Sequence, residues 1–227
     1  MRYHSSTSAM TKTLLLIAVA VTHAYGATIL WNQQPNTNTG GIQNQEFSDY
    51  PGFSTYQVND IIVTGSSWHI TAIREYYTNN IPWPANFNVR LNIFSKTGVL
   101  PLPSDAPSNG LVYAATDVAG AITIDGLDIN LAPGAYWIGF TPQLDLSRGA
   151  EYQLFALSKV GDSSALRNPG GNVAVGTDWV TPAAFGSEGD GSITVFGDTS
   201  APEPAVFQLM LPSVGILGLL YRRKTRA

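Results

Sequence analysis

Between residues 27 and 201, no stretch of ten residues repeats its apolar side chains at helical spacing, which excludes most helix-containing architectures for this chain. What recurs instead is period two. Phe87–Ser95 (FNVRLNIFS) sets Phe87, Val89, Leu91 and Ile93 on one face and Asn88, Arg90 and Asn92 on the other. Residues 68–77 (WHITAIREYY) alternate as well, with Trp68, Ile70 and Ala72 opposed to His69, Thr71 and Ile73. Residues 135–141 (AYWIGFT) form a nearly continuous apolar run, the pattern of a buried strand. Further extended segments are 28–31, 54–64, 111–118, 121–131, 152–158 and 192–197. Glycine, proline, serine and asparagine punctuate them: turns at 65–67 and 132–134, loops at 32–41, 79–86, 96–110 and through 161–191. About eight to ten short strands at roughly dozen-residue spacing predict an all-β fold, an antiparallel β-sandwich or jelly roll, with a closed barrel as the alternative.

The two ends obey different rules. Residues 14–21 (LLLIAVAV) follow Arg2 and Lys12 and precede the small residues Ala24-Tyr25-Gly26. A basic start, a short apolar run and small residues make a secretory signal peptide, cut after Gly26 by signal peptidase. The run is well short of the roughly 18–20 apolar residues that a membrane span needs. Met10 offers a second start that would leave a more compact signal. At the other end stand Pro202-Glu203-Pro204, an apolar run at 205–221, and Arg222-Arg223-Lys224 with Arg226. The three-residue Pro-Glu-Pro unit is rigid and extended. As a helix the run would cover about 25 Å, marginal for a bilayer core of about 30 Å. Gln208 and Pro212 interrupt it. The basic end would stay cytoplasmic, holding the body outside. The expected division is therefore 1–26 signal peptide with an N-terminal signal helix, 27–198 β domain, and 199–227 tail with a C-terminal transmembrane helix.

Setting the ends aside changes the charge. The whole chain carries −4, but six of its twelve basic residues lie in the two ends. The body keeps Arg74, Arg90, Lys96, Arg148, Lys159 and Arg167 against fifteen acids, all but Glu203, which leaves it at −9. An acidic body does not suit phosphate backbones, so no nucleic-acid partner is expected. The chain has no cysteine, so an exported domain must rest on its core alone, without disulfides.

The order Pro202-Glu203-Pro204, apolar run, Arg222-Arg223-Lys224 resembles the PEP-CTERM sorting signal of Gram-negative bacteria. The resemblance covers about a tenth of the chain and implies processing near Pro-Glu-Pro by an exosortase, a membrane transpeptidase. It also implies a setting of biofilm and exopolysaccharide. The route would run from an inner-membrane precursor to the cell surface or extracellular matrix. Residues 60–73 (DIIVTGSSWHITAI), 87–101 (FNVRLNIFSKTGVLP) and 131–140 (LAPGAYWIGF) resemble a domain recurrent in such exported proteins. That domain's usual Ala-Asp-Asp-Phe opening is Val58-Asn59-Asp60-Ile61 in this chain. This second resemblance supports the β-sandwich and carries no chemistry with it.

Candidate chemistry is sparse. His69 is the only body histidine, so a multi-histidine metal site is excluded, and no Gly-Xaa-Ser-Xaa-Gly elbow precedes a helix. Asp125 and Asp128, or Glu188 and Asp190, could supply paired carboxylates for glycoside hydrolysis, although both pairs flank a glycine as turn residues do. The 187–191 loop lacks the ladder of an EF-hand. Trp83, between Pro82 and Pro84, with Tyr76 and Tyr77, could stack on sugar rings. Trp31, Trp68 and Trp137 read as core, and Trp179 is open. The expectation is a non-enzymatic surface or matrix protein without metal or cofactor. A carbohydrate-binding module and a glycoside-active enzyme are the alternatives.

Overall fold

A computed structural model describes residues 27–78, 82–158, 164–173, 176–185 and 189–199. The expected signal peptide, the residues expected to direct sorting (Pro202, Glu203 and Pro204), the apolar run and Arg222, Arg223 and Lys224 lie outside these. So does Glu188. Among the described residues no helix is long and apolar enough to cross a membrane.

The fold is all-β and its strand pairing is antiparallel. The strands are β1 (Thr28–Gln33), β2 (Gly41–Gln43), β3 (Tyr56–Val63), β4 (Trp68–Tyr76), β5 (Phe87–Ser95) and β6 (Leu111–Val118). They continue with β7 (Ala121–Leu131), β8 (Gly134–Gln143), β9 (Tyr152–Leu154), β10 (Ala165–Arg167) and β11 (Ile193–Thr199). Nine of them form one sheet in the order β1-β11-β4-β7-β6-β5-β8-β3-β10, and β2 pairs with β9. Three elements depart from the sequence reading. The loop expected at 32–41 gives way to β1 as far as Gln33, β2 begins at Gly41, and β10 interrupts the loop region 161–191.

Strand β6 makes the sheet curl. Its first half, residues 111–115, pairs with β5, and residues 116–118 pair with β7. One strand thus belongs to both halves of the sheet, and the halves close over a common core. Ile70 and Ile73 of β4, Ile122 and Ile124 of β7 and Val195 of β11 pack there with Ile61, Val89, Leu91, Ile138 and Phe140 of the other half. On the outer face of the second half, Tyr56, Val58, Trp137, Ala165 and Trp179 form a smaller cluster.

The alternation read from residues 68–77 breaks at Thr71. Ile70 and Ala72 take consecutive partners on β11, Gly197 and Phe196, and Thr71 is passed over. Opposite it on β7, Ile70 pairs with Ile129 and Ala72 with Asp125, so three β7 residues bulge at the same level. A bulge shifts the side-chain phase by one. Trp68 and Ile70 therefore point inward, and so do Ile73 and Tyr77. Ile73, expected opposite Ile70, lies in the same core. On β7, Ile122 and Ile124 precede the bulge, Leu127 lies within it, Leu131 follows it, and all four are buried. Both strands change phase together, which keeps their isoleucines and leucines facing the core.

Candidate functional site

The expected aromatic platform is not assembled. Tyr76 and Tyr77 are adjacent on a strand and must point to opposite faces. Uninterrupted alternation from Trp68 would turn Tyr76 inward, but the Thr71 bulge reverses this, and Tyr77 is 2% exposed. Its hydroxyl lies 3.0 Å from Glu75 Oε2 and 3.1 Å from Phe140 O, and accepts from Asn44 Nδ2 at 2.8 Å. Tyr76 is on the outer face, its hydroxyl 3.4 Å from Thr194 Oγ1. Trp83 is half-buried, its ring 5.6 Å from Tyr77 and 5.1 Å from Phe87. Packing on the core removes more apolar surface from water than standing free between two prolines would.

Of the carboxylate pairs, Glu188–Asp190 is described only at Asp190. Asp125 and Asp128 are both exposed on the β7 bulge, where Gly126 supplies φ +71, so the Asp-Gly step is a bulge within a strand and not a turn between strands. Asp128 Oδ1 is 2.9 Å from His69 Nε2 at the surface. Asp190 is enclosed, accepting from Gln33 Nε2 at 2.8 Å. Among the described residues no group of three or more His, Asp or Glu is placed to hold a metal ion. Trp68 and Trp137 are core residues, and Trp31 is half-buried against Trp68. Trp179 is buried, its indole N–H donating to Asp105 O at 2.9 Å.

A prominent concavity among the described residues lies elsewhere. A cleft of 570 Å³ runs between residues 46–56, residues 106–108 and residues 167–170. Glu46 and Arg90 make a two-point ion pair at its base, Nε to Oε2 2.7 Å and Nη2 to Oε1 2.9 Å. Gln143 Nε2 also donates to Glu46 Oε1 at 3.1 Å, and Arg90 Nη1 reaches Ser108 O and Gly110 O. Burial, reinforced by the Glu46 carboxylate, pushes the Tyr56 phenol up to about 12, so its hydroxyl keeps its proton and can donate. Arg167 lies 5.9 Å over the Trp179 ring and donates to Thr177 O, Pro103 O and Asp105 O.

One wall is a short aromatic loop. Pro51 and Gly52 line the cleft, and Tyr50 and Phe53 on either side are 55% and 39% exposed, edge to face at 6.5 Å. The loop is clamped. Asn168 Nδ2 donates to Gly52 O at 3.0 Å and Ser54 O at 2.6 Å, Asn172 N to Gly52 O at 3.2 Å, and Gln43 Nε2 to Phe53 O at 3.1 Å. The two cleft loops approach so closely that a Cβ on Gly170 would lie 2.3 Å from Gly52 Cα.

A second cleft of 420 Å³ adjoins the first and shares Glu46 and Ser48 with it. Its lining is more polar, with Asn86, Asn88, Gln143, Asp145 and Arg148. The Ser48 hydroxyl bonds Asp145, and Arg148 Nη2 donates to Pro82 O at 2.7 Å. Neither cleft was visible in the sequence. Their walls come from separate loops, and the one available signal was the cluster Tyr50, Pro51, Gly52 and Phe53 within a polar stretch. No family model matches the chain, and no curated protein matches it.

Proposed function

We propose that this chain is an exported, non-enzymatic cell-surface or matrix protein: one β-sandwich of jelly-roll type, delivered and processed through its C-terminal tail. Signal peptidase removes residues 1–26, the 205–221 run holds the precursor in the inner membrane, and an exosortase-type transpeptidase acts at Pro202-Glu203-Pro204. The observation that carries the reading is where the body's two ends leave the fold. Thr28, which opens β1, pairs with Gly197 near the end of β11, so both exits lie at the same end of adjacent strands. A domain tethered through either terminus hangs from that end. Trp68 and Leu131 pair there too, and the turns that follow Val63 and precede Gly134 connect to them. Tyr56 and Gln143 are at the opposite ends of their strands, so the clefts around Glu46 face away from the tether.

Glu203→Ala tests the processing step. Full-length precursor retained in the membrane fraction, against a shortened wild-type product, is the expected result. Identical fractionation and size for both contradicts it.

The second reading, a carbohydrate-binding module, is favoured by the clamped aromatic loop beside the larger cleft. Exposed apolar rings on a rigid loop cost solvation and add little to the core, which is the usual mark of a contact surface.

A further inference from the structure

We propose that the two clefts meeting at Glu46 and Ser48 bind one strand of an acidic, uronate-bearing polysaccharide. The inference deepens the carbohydrate-binding reading by naming the residues and the charge of the polymer. Three observations carry it. The first is continuity: two concavities of 570 and 420 Å³ share the Glu46–Ser48 ridge, giving a run of adjoining subsites that suits a linear polymer better than a compact solute.

The second is the division of labour along that run. At one end Tyr50 and Phe53 offer exposed rings that pack against the C–H faces of sugars, and Pro51, Pro107 and Pro169 make rigid apolar walls. At the other end the carboxamides of Asn86, Asn88 and Gln143 and the Ser48 hydroxyl present donors and acceptors of the kind hydroxyl groups need. The aromatic loop is fixed before binding by Asn168, Asn172 and Gln43, so little ordering entropy remains to be lost.

The third is charge. The body is strongly acidic and has six basic residues, yet three of them, Arg90, Arg148 and Arg167, sit in or directly behind these clefts. Arg90 is neutralised by Glu46. Arg148 and Arg167 bond backbone carbonyl oxygens, and among the described residues neither lies within ion-pair distance of a carboxylate. Two guanidinium groups whose hydrogen bonds go to neutral carbonyl oxygens, one in each cleft, can attract carboxylates repeating along a uronate chain, against the single carboxylate of Asp145, which the Ser48 hydroxyl bonds.

The test is affinity electrophoresis of the full chain, solubilised in detergent, through gels carrying polygalacturonate, alginate or neutral dextran. Wild type should be retarded by an acidic polymer and not by dextran, and less so as salt rises. Tyr50→Ala/Phe53→Ala should weaken binding about tenfold, the loss typical of removing an aromatic anchor. Arg148→Gln should weaken it several-fold and flatten the salt dependence. All three positions are exposed, so melting temperatures should match wild type. Equal retardation by dextran, none by either acidic polymer, or wild-type affinity in either variant overturns the proposal. The measurement is blind to tail processing, so its failure would leave the sorting reading standing, and the reverse also holds.

Discussion

Glu75 carries a carboxyl group fully into the core, where it accepts from the Phe140 N–H at 2.9 Å and the Tyr77 hydroxyl at 3.0 Å. Burial pushes it well above the usual carboxylate range, and those two donors offset only part of that shift. Glu151, 3% exposed, is pushed to about 7 by the same cause. Both shifts have a consequence for stability. A carboxyl whose folded value lies above its unfolded one holds its proton more tightly in the native state. The native state is then favoured at low pH and loses that advantage as the pH rises. For Glu151 the window runs from the ordinary 4.5 up to about 7. Glu151→Gln should therefore match wild type near the bottom of that window and exceed it by about 1–3 kcal/mol above it. Urea denaturation at several pH values measures this, and a constant difference across the window would contradict it. Neither group was legible in the sequence. Glu75 stands in a run that alternates in the wrong phase until Thr71 is known to bulge, and Glu151 is buried by loops distant in the chain.

At the scale of elements, much was legible because the strands obey period two. Phe87–Ser95 folds as β5 with Phe87, Val89 and Leu91 buried, as its alternation predicts. Residues 135–141 form most of β8, and Trp137, Ile138 and Phe140 are fully buried. What escaped were features that depend on a partner strand: the paired bulges at Thr71 and Gly126, the short β2 and β10, and the switch of β6 between sheet halves. None of these has a periodic signature of its own. The β7 bulge can be tested at its glycine. Gly126 has φ +71 and open space where a Cβ would stand, so an alanine there meets backbone strain and no clash. Gly126→Ala should cost about 1–2 kcal/mol, and Gly126→Asn less, because asparagine tolerates the left-handed region better. Thermal denaturation of the two variants decides it. Equal stability of wild type and the alanine variant would mean that β7 does not hold this bulge.

For the whole molecule, the chain's antiparallel, all-β character followed from its lack of helical periodicity. The clefts did not, because their walls are three loops brought together only when β3, β8 and β10 pair. The expected aromatic trio dissolves for a related reason. Tyr77 and Trp83 gain more by packing on the core than by standing in water, and Tyr50 and Phe53, on the loop clamped by Asn168, stand exposed instead. The acidic body, the shared exit of its two ends and the clefts facing away from that exit suit the proposed tether: a domain whose ends leave together on one side, with its clefts on the other. The most direct test of that account is the intact mass of the exported protein, recovered from cells that carry the export and sorting machinery. The account predicts an N-terminus at Ala27 and loss of residues 222–227. A mature chain that still begins at Met1 or Met10, or still ends in Arg222, Arg223 and Lys224 with the residues after them, would contradict it.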